Sequence, residues 1–153
     1  MLDKIDRQIL NLLQEDARIS NKELSNRIGL VPSATSERLR KLKENGVIEK
    51  FEARLNAARL DHGLLAFIFV RTNEIASGSE AGEELARIPE VQEVYNVAGE
   101  DCYFLKVRTR TTKTLSHLLK KKIGAIDSVE STRTTIVMES YKETCAIPID
   151  IEN

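Results

Sequence analysis

The residues best equipped for chemistry in this sequence are cations, and their spacing suits a polyanion better than a reaction centre. Arg38, Arg40, Lys41 and Lys43 stand close together with no acid among them. At 100° per residue, Thr35, Leu39 and Leu42 share one side of a helix, while Ser33, Glu37, Arg40 and Glu44 take the other, flanked by Ser36 and Lys41. A guanidinium fork matches phosphate oxygens or the O6 and N7 edge of guanine, and lysine supplies a point charge for phosphate. Taken alone, such a run reads most plainly as a solvated face. Its setting reverses that reading.

Catalysis has little to stand on. There is no nucleophile elbow, phosphate loop or metal-ligand spacing; His62 and His117 are far apart, and Cys102 and Cys145 have no metal-site spacing. No catalytic residue, metal ligand or cofactor is assigned, and the chain is not read as an enzyme. Thr109, Arg110, Thr111, Thr112 and Lys113 read as a solvated loop and helix cap. Lys120, Lys121 and Lys122 read as an exposed helix face near a negative C-terminal end.

The elements around the cations are well marked. Ser20 followed by Glu23 predicts a capping box and a helix from about Asn21; Leu24 and Ile28 would bury one face, and Gly29 would end it. Pro32 fits the first turn of a second helix closed by Gly46, begun either there or slightly later on a Ser33 cap. Residues 21–40 therefore spell a helix-turn-helix, whose second helix is the one that enters the major groove. In that setting Ser33, Ala34, Ser36, Glu37, Arg38, Arg40, Lys41 and Lys43 become candidate contacts to double-stranded DNA. Arg40 and Ser36 suit base edges, and Arg38, Lys41 and Lys43 suit phosphates. Glu37 suits cytosine N4 or an ion pair with Lys41.

An upstream helix with Leu2, Ile5, Ile9, Leu12 and Leu13 inward would support the pair, with Asp3 and Asp6 near its positive end. Residues 47–55 alternate, with Val47, Phe51, Ala53 and Leu55 on one face, as a half-buried wing strand does. Residues 1–55 thus form a winged helix-turn-helix domain, and the aperiodic residues 56–63 form a linker.

Residues 64–153 change character. Strands at 64–70, 91–98, 102–108 and 129–141 alternate with helices at 80–88 and around Leu115 to Ile123, giving βαββαβ and an α+β chain with a ferredoxin-like second domain. The strand Leu64 to Val70 is apolar on both faces, although helices would cover only one. Its other face needs cover, from the same sheet of a second subunit or from the winged-helix domain folding back. Gly99-Glu100-Asp101 reads as a hairpin turn.

Composition agrees with a globular protein: 153 residues, 41% hydrophobic and 31% charged. The longest apolar run is too short for a bilayer and no basic, apolar leader precedes it, so a cytoplasmic location without membrane partner is expected. Net charge is +3 over residues 1–60 and −4 over the rest, summing to −1. A weakly basic reader joined to an acidic domain fits modest DNA affinity per subunit, raised by pairing.

Taken together, residues 2–18, 21–40, Ala98-Gly-Glu, Tyr103-Phe-Leu-Lys106 and Thr132 to Glu139 closely resemble the Lrp/AsnC family, the leucine-responsive and asparagine-type feast/famine regulators. The resemblance implies a sequence-specific DNA-binding transcriptional regulator whose second, RAM-type domain binds a small effector, often an amino acid. It also implies homodimers assembling further, commonly to octamers. The effector position maps onto Ala98, Gly99, Glu100, Asp101 and Cys102, with Thr134 and Thr135 as neighbours. Glycine-turn N–H groups suit its carboxylate, and Glu100 or Asp101 suits its ammonium. Cys102 stands where many relatives have an acid. The rival readings are a ligand-independent architectural DNA-binding protein and a small enzyme built on the ferredoxin-like half.

Overall fold

Local chain ends set the first three helices. In the computed structural model, which describes residues 2–73, 80–99 and 101–151, helix α1 (Lys4–Glu15) starts on Asp3. The Asp3 carboxylate accepts from the Asp6 N–H at 2.8 Å, and Asp6 accepts from the Asp3 N–H at 3.3 Å, a complete capping box. Helix α2 (Asn21–Ile28) starts on Ser20, whose hydroxyl accepts from the Glu23 N–H at 3.1 Å. Only that half of the expected box forms, because the Glu23 carboxylate pairs instead with Arg27 one turn on. Gly29 ends α2 at φ +71°, a left-handed conformation that side chains strain to adopt. Helix α3 (Pro32–Glu44) begins at Pro32, with Val31 as an N-cap that offers no side-chain bond, so neither a Ser33 cap nor a later start is used.

The chain groups into two units, Met1–Arg54 with Lys142–Asn153, and Leu55–Tyr141. In the first, Ile9, Leu10, Leu24 and Leu42 form the core, with Ile5, Leu13, Leu39 and Ile149 packed against it. The buried hydroxyls of Ser25 and Thr35 bond back to the Asn21 and Val31 carbonyls, so no polar atom of theirs is stranded. Ile149 belongs to the C-terminal segment, which the sequence pattern leaves with the second domain and which here packs in the first unit. Residues 47–55 do not form the expected wing strand: they have no ladder partner among the described residues, and Val47, Phe51 and Leu55 are exposed. Alternation fixes which face a residue takes, but a strand also needs a neighbour to receive its N–H and C=O groups.

The second unit runs β1 (Leu64–Thr72), α4 (Glu80–Ala86), β2 (Val91–Asn96), β3 (Tyr103–Thr109), α5 (Thr112–His117) and β4 (Val129–Ile136). A π-helical turn (Leu118–Lys122) and a 3-10 turn (Ile123–Ala125) carry α5 onward to Gly124 and beyond. The strands pair antiparallel in the order β2-β3-β1-β4, as βαββαβ requires. One face carries Ala66, Ile68, Val70, Tyr103, Leu105 and Val107 into a core with Ala81, Leu85, Leu115, Leu118 and Ile123. The other face carries aromatics. Phe104 lies 5.3 Å from Phe67, 4.8 Å from Phe69 and 6.4 Å from Tyr95 between ring centroids. These two rows explain why Leu64 to Val70 lacks alternation. Strand β4 stops at Ile136 rather than Tyr141, because its partner β1 begins at Leu64 and the register Ala66 to Ile136 leaves little strand to pair with.

Candidate nucleic-acid interface

Helix α3 buries Thr35 and Leu42, holds Leu39 half-buried, and turns Ser33, Ser36, Glu37, Arg40, Lys41 and Lys43 to solvent. Ala34 and Arg38 are half-buried at its flanks. The hydrophilic side therefore faces outward, as a groove-entering helix requires.

The cations on that side differ in their commitments. Arg40 is gripped along the helix by two acids: its Nη2 lies 2.6 Å from Glu37 Oε1, and its Nη1 donates to Glu44. These bonds, from Glu37 first and Glu44 second, hold the Arg40 guanidinium above its ordinary pKa; Arg40 in turn holds the Glu37 carboxyl below its own. All three side chains are solvated, so water screens the pairs and a phosphate or guanine edge can displace a carboxylate at little cost. Lys41 lies 3.6 Å from Glu37, and Lys43 sits 5.0 Å above the Phe51 ring.

Arg38, expected to suit a phosphate, also makes ion pairs within the unit. Its Nη1 donates at 2.7 Å to both Asp3 and Asp6, so the guanidinium is directed to the α1 cap. The sequence shows the acids and the cation, but a pairing across more than thirty residues leaves no local pattern. Asn21 is a second residue that motif reading passes over. Its Nδ2 donates to the Pro32 carbonyl at 3.0 Å and to Ser36 Oγ at 2.9 Å, tying the start of α3 to α2 and orienting one candidate base contact.

The candidate effector residues gather only in part. Ala98 and Gly99 form the turn after β2, with Gly99 at φ +144°, whereas Glu100 lies outside the described residues. The Asp101 carboxylate accepts from Arg133 Nη2 at 2.9 Å, and that guanidinium lies 4.0 Å from the centre of the Phe69 ring. Cys102 extends the ladder, its N–H donating to the Val70 carbonyl at 2.9 Å, and its thiol lies 3.7 Å from the Thr72 carbonyl. Thr134 pairs with Ile68 and Thr135 with Phe67, so the two threonines point to opposite faces of the sheet. Thr135 shares the aromatic face with Arg133 and Asp101, and Thr134 does not. Arg133 is the member that sequence reading misses, because only the strand order brings it near the turn. Among the described residues no cluster of His, Cys, Asp or Glu could hold a metal ion.

With that geometry in place, the likenesses to known proteins are specific. Residues 2–49 match the family described as winged helix-turn-helix DNA-binding, and residues 65–147 match the Lrp/AsnC ligand binding domain. The chain is 40% identical to the HTH-type transcriptional regulator FL11 of Pyrococcus horikoshii, covering 97% of each. It is also 40% identical to the leucine-responsive regulatory protein of Escherichia coli, covering 93% of this chain and 88% of the other. In three dimensions it resembles E. coli AsnC with a TM-score of 0.89 at 30% identity, covering 97% of this chain and 99% of that one. A transcriptional regulator of Neisseria meningitidis, solved as its L-Met complex, superposes with a TM-score of 0.88 at 30% identity over 97% of both chains.

Proposed function

Because this chain belongs to the Lrp/AsnC family of transcriptional regulators, we propose that it binds operator DNA as a homodimer through α3 and answers to an amino acid held by its second unit. The chain is a DNA-binding transcriptional regulator; the residues that read DNA, the effector site and the assembly are the proposal. Arg40 and Ser36 meet base edges, and Lys41 and Lys43 meet phosphates, while Arg38 serves as a brace between helices. Two copies of α3 would enter successive major grooves about 34 Å apart. The single observation that carries this reading is the outward face of α3, polar and cationic over an apolar side that is buried.

Dimerisation is supported by the aromatic face of the sheet, where Phe104 stacks on Phe67 and meets Phe69 at a tilt, and Tyr95 is half exposed. A second copy of that face is the economical cover. Further assembly of dimers to an octamer follows from the family resemblance. For the effector, the Gly99 turn offers backbone N–H groups to a carboxylate, and Asp101 offers an acceptor to an ammonium if Arg133 yields it. The bound methionine of the Neisseria relative makes an amino acid the class to test. The protein acts in the cytoplasm and is not an enzyme in this reading; no helix among the described residues is long and apolar enough to cross a membrane.

Thermal shift against the twenty amino acids at millimolar concentration tests the sensing half. Stabilisation by one of them, lost in Asp101→Ala, supports an effector-responsive regulator. No stabilisation by any of them favours the ligand-independent architectural protein.

A further inference from the structure

The C-terminal segment sits on α1 through its backbone. Arg7, Asn11 and Gln14, at steps of four and three residues, line one face of that helix. Arg7 Nη1 donates to the Asp150 carbonyl at 3.0 Å, and Asn11 Nδ2 donates to the Ile149 carbonyl at 3.1 Å. Gln14 makes a paired contact with Ile147, donating from Nε2 to its carbonyl at 2.9 Å and accepting its N–H on Oε1 at 2.6 Å. The segment thus runs antiparallel to α1, read at three successive places by helix side chains. Ile149 anchors it by packing against the Ile9, Leu10, Leu24 and Leu42 core.

Two features make this seat more than a tidy end of chain. First, it is shallowly held: Ile147 is 70% exposed, and three of the four bonds lie in exposed surroundings. Bonds of that kind open well before the domain unfolds. Second, the helix it grips also braces the reading helix, since Asp3 and Asp6 at the start of α1 hold Arg38 of α3. The segment itself continues the chain from the second unit after Tyr141.

We propose that residues 142–151 form a detachable strap on the DNA-binding unit, which when seated on Arg7, Asn11 and Gln14 holds α1 and, through it, α3 in the DNA-reading arrangement. The inference goes beyond the effector reading and does not need it.

Hydrogen exchange on the full chain is the test. The Ile147 amide should exchange at least about tenfold more slowly than an unprotected tail amide, with an opening free energy below that of the core amides. Gln14→Ala in the full chain should remove that protection and weaken operator binding severalfold. A chain ended at Tyr141 should bind DNA as weakly, and a synthetic peptide of residues 142–153 should restore it. An unprotected Ile147 amide in the full chain overturns the strap. So does a Gln14→Ala chain that loses the protection and keeps its full DNA affinity, and this result decides even if the truncated chain does not fold.

Discussion

Arg38 of α3 donates from Nη1 to Oδ1 of Asp6 in α1 at 2.7 Å, with the Arg38 side chain 30% and the Asp6 side chain 16% exposed. A cation from the run that suggests DNA binding is thus used to join two helices. Arg38→Ala should therefore act first on folding, costing about 1–3 kcal/mol through loss of a partly buried charged bond. Thermal unfolding checks this: the midpoint should fall for Arg38→Ala and stay within experimental scatter for Lys41→Ala.

The α1 cap should also leave a signature in acid. The Asp6 N–H, and after it Arg38, hold the Asp3 carboxyl below its ordinary value of 3.8. A depressed carboxyl contributes stability that is fully present above its unfolded pKa and is lost as pH falls through the folded one. Asp3→Ala should be less stable than the parent at neutral pH by about 1 kcal/mol, the usual worth of a cap. The two denaturation curves should converge as the pH falls below the ordinary value of 3.8.

For DNA recognition the variants divide by chemistry. If Arg40 reads a guanine, Arg40→Ala should cost about 1–3 kcal/mol and relax preference at one base position. Lys41→Ala should weaken all sequences alike and reduce the salt slope by about 1. Binding selections over randomised duplexes, repeated at several salt concentrations, separate the two; an Arg40→Ala chain with unchanged base preference refutes the assignment.

How much of this was legible before the fold was known depends on the range of the interaction. Ser20, Gly29 and Pro32 mark helix ends by local stereochemistry, and each does so where expected. The order βαββαβ follows from periodicities that need no knowledge of partners. What failed needed a partner. Residues 47–55 alternate yet find no ladder among the described residues, Glu23 turns to Arg27, and Ile149 packs in the first unit. The candidate effector residues show the same division. The turn at Gly99 is local, but Arg133 reaches Asp101 only because β4 lies beside β1, and strand alternation separates Thr134 from Thr135.

Close packing in the second unit gives an independent check on the fold. A Cβ added to Gly124 would lie 2.9 Å from the Leu119 carbonyl oxygen, a backbone atom that cannot swing aside. Gly124→Ala should destabilise the protein by about 1–3 kcal/mol, as overpacking does. Denaturant titration should show the loss as a lower midpoint at unchanged slope.

The aromatic face of the sheet predicts its own disruption. Phe104 touches Phe67, Phe69 and Tyr95, so Phe104→Asp places a charge at the centre of the proposed dimer contact. Sedimentation at micromolar concentration should show dimers or larger species for the parent and a shift to monomer for the variant. A parent that sediments only as monomer removes the dimer.

The outward face of α3 is proposed to enter duplex DNA. Fluorescence anisotropy of the purified protein with duplex oligonucleotides across a salt series measures it directly. Binding at low ionic strength, a linear fall of log affinity with log salt, and relaxed preference at one base position in Arg40→Ala are the expected results. A folded protein that leaves duplex DNA unbound even at low ionic strength would contradict it.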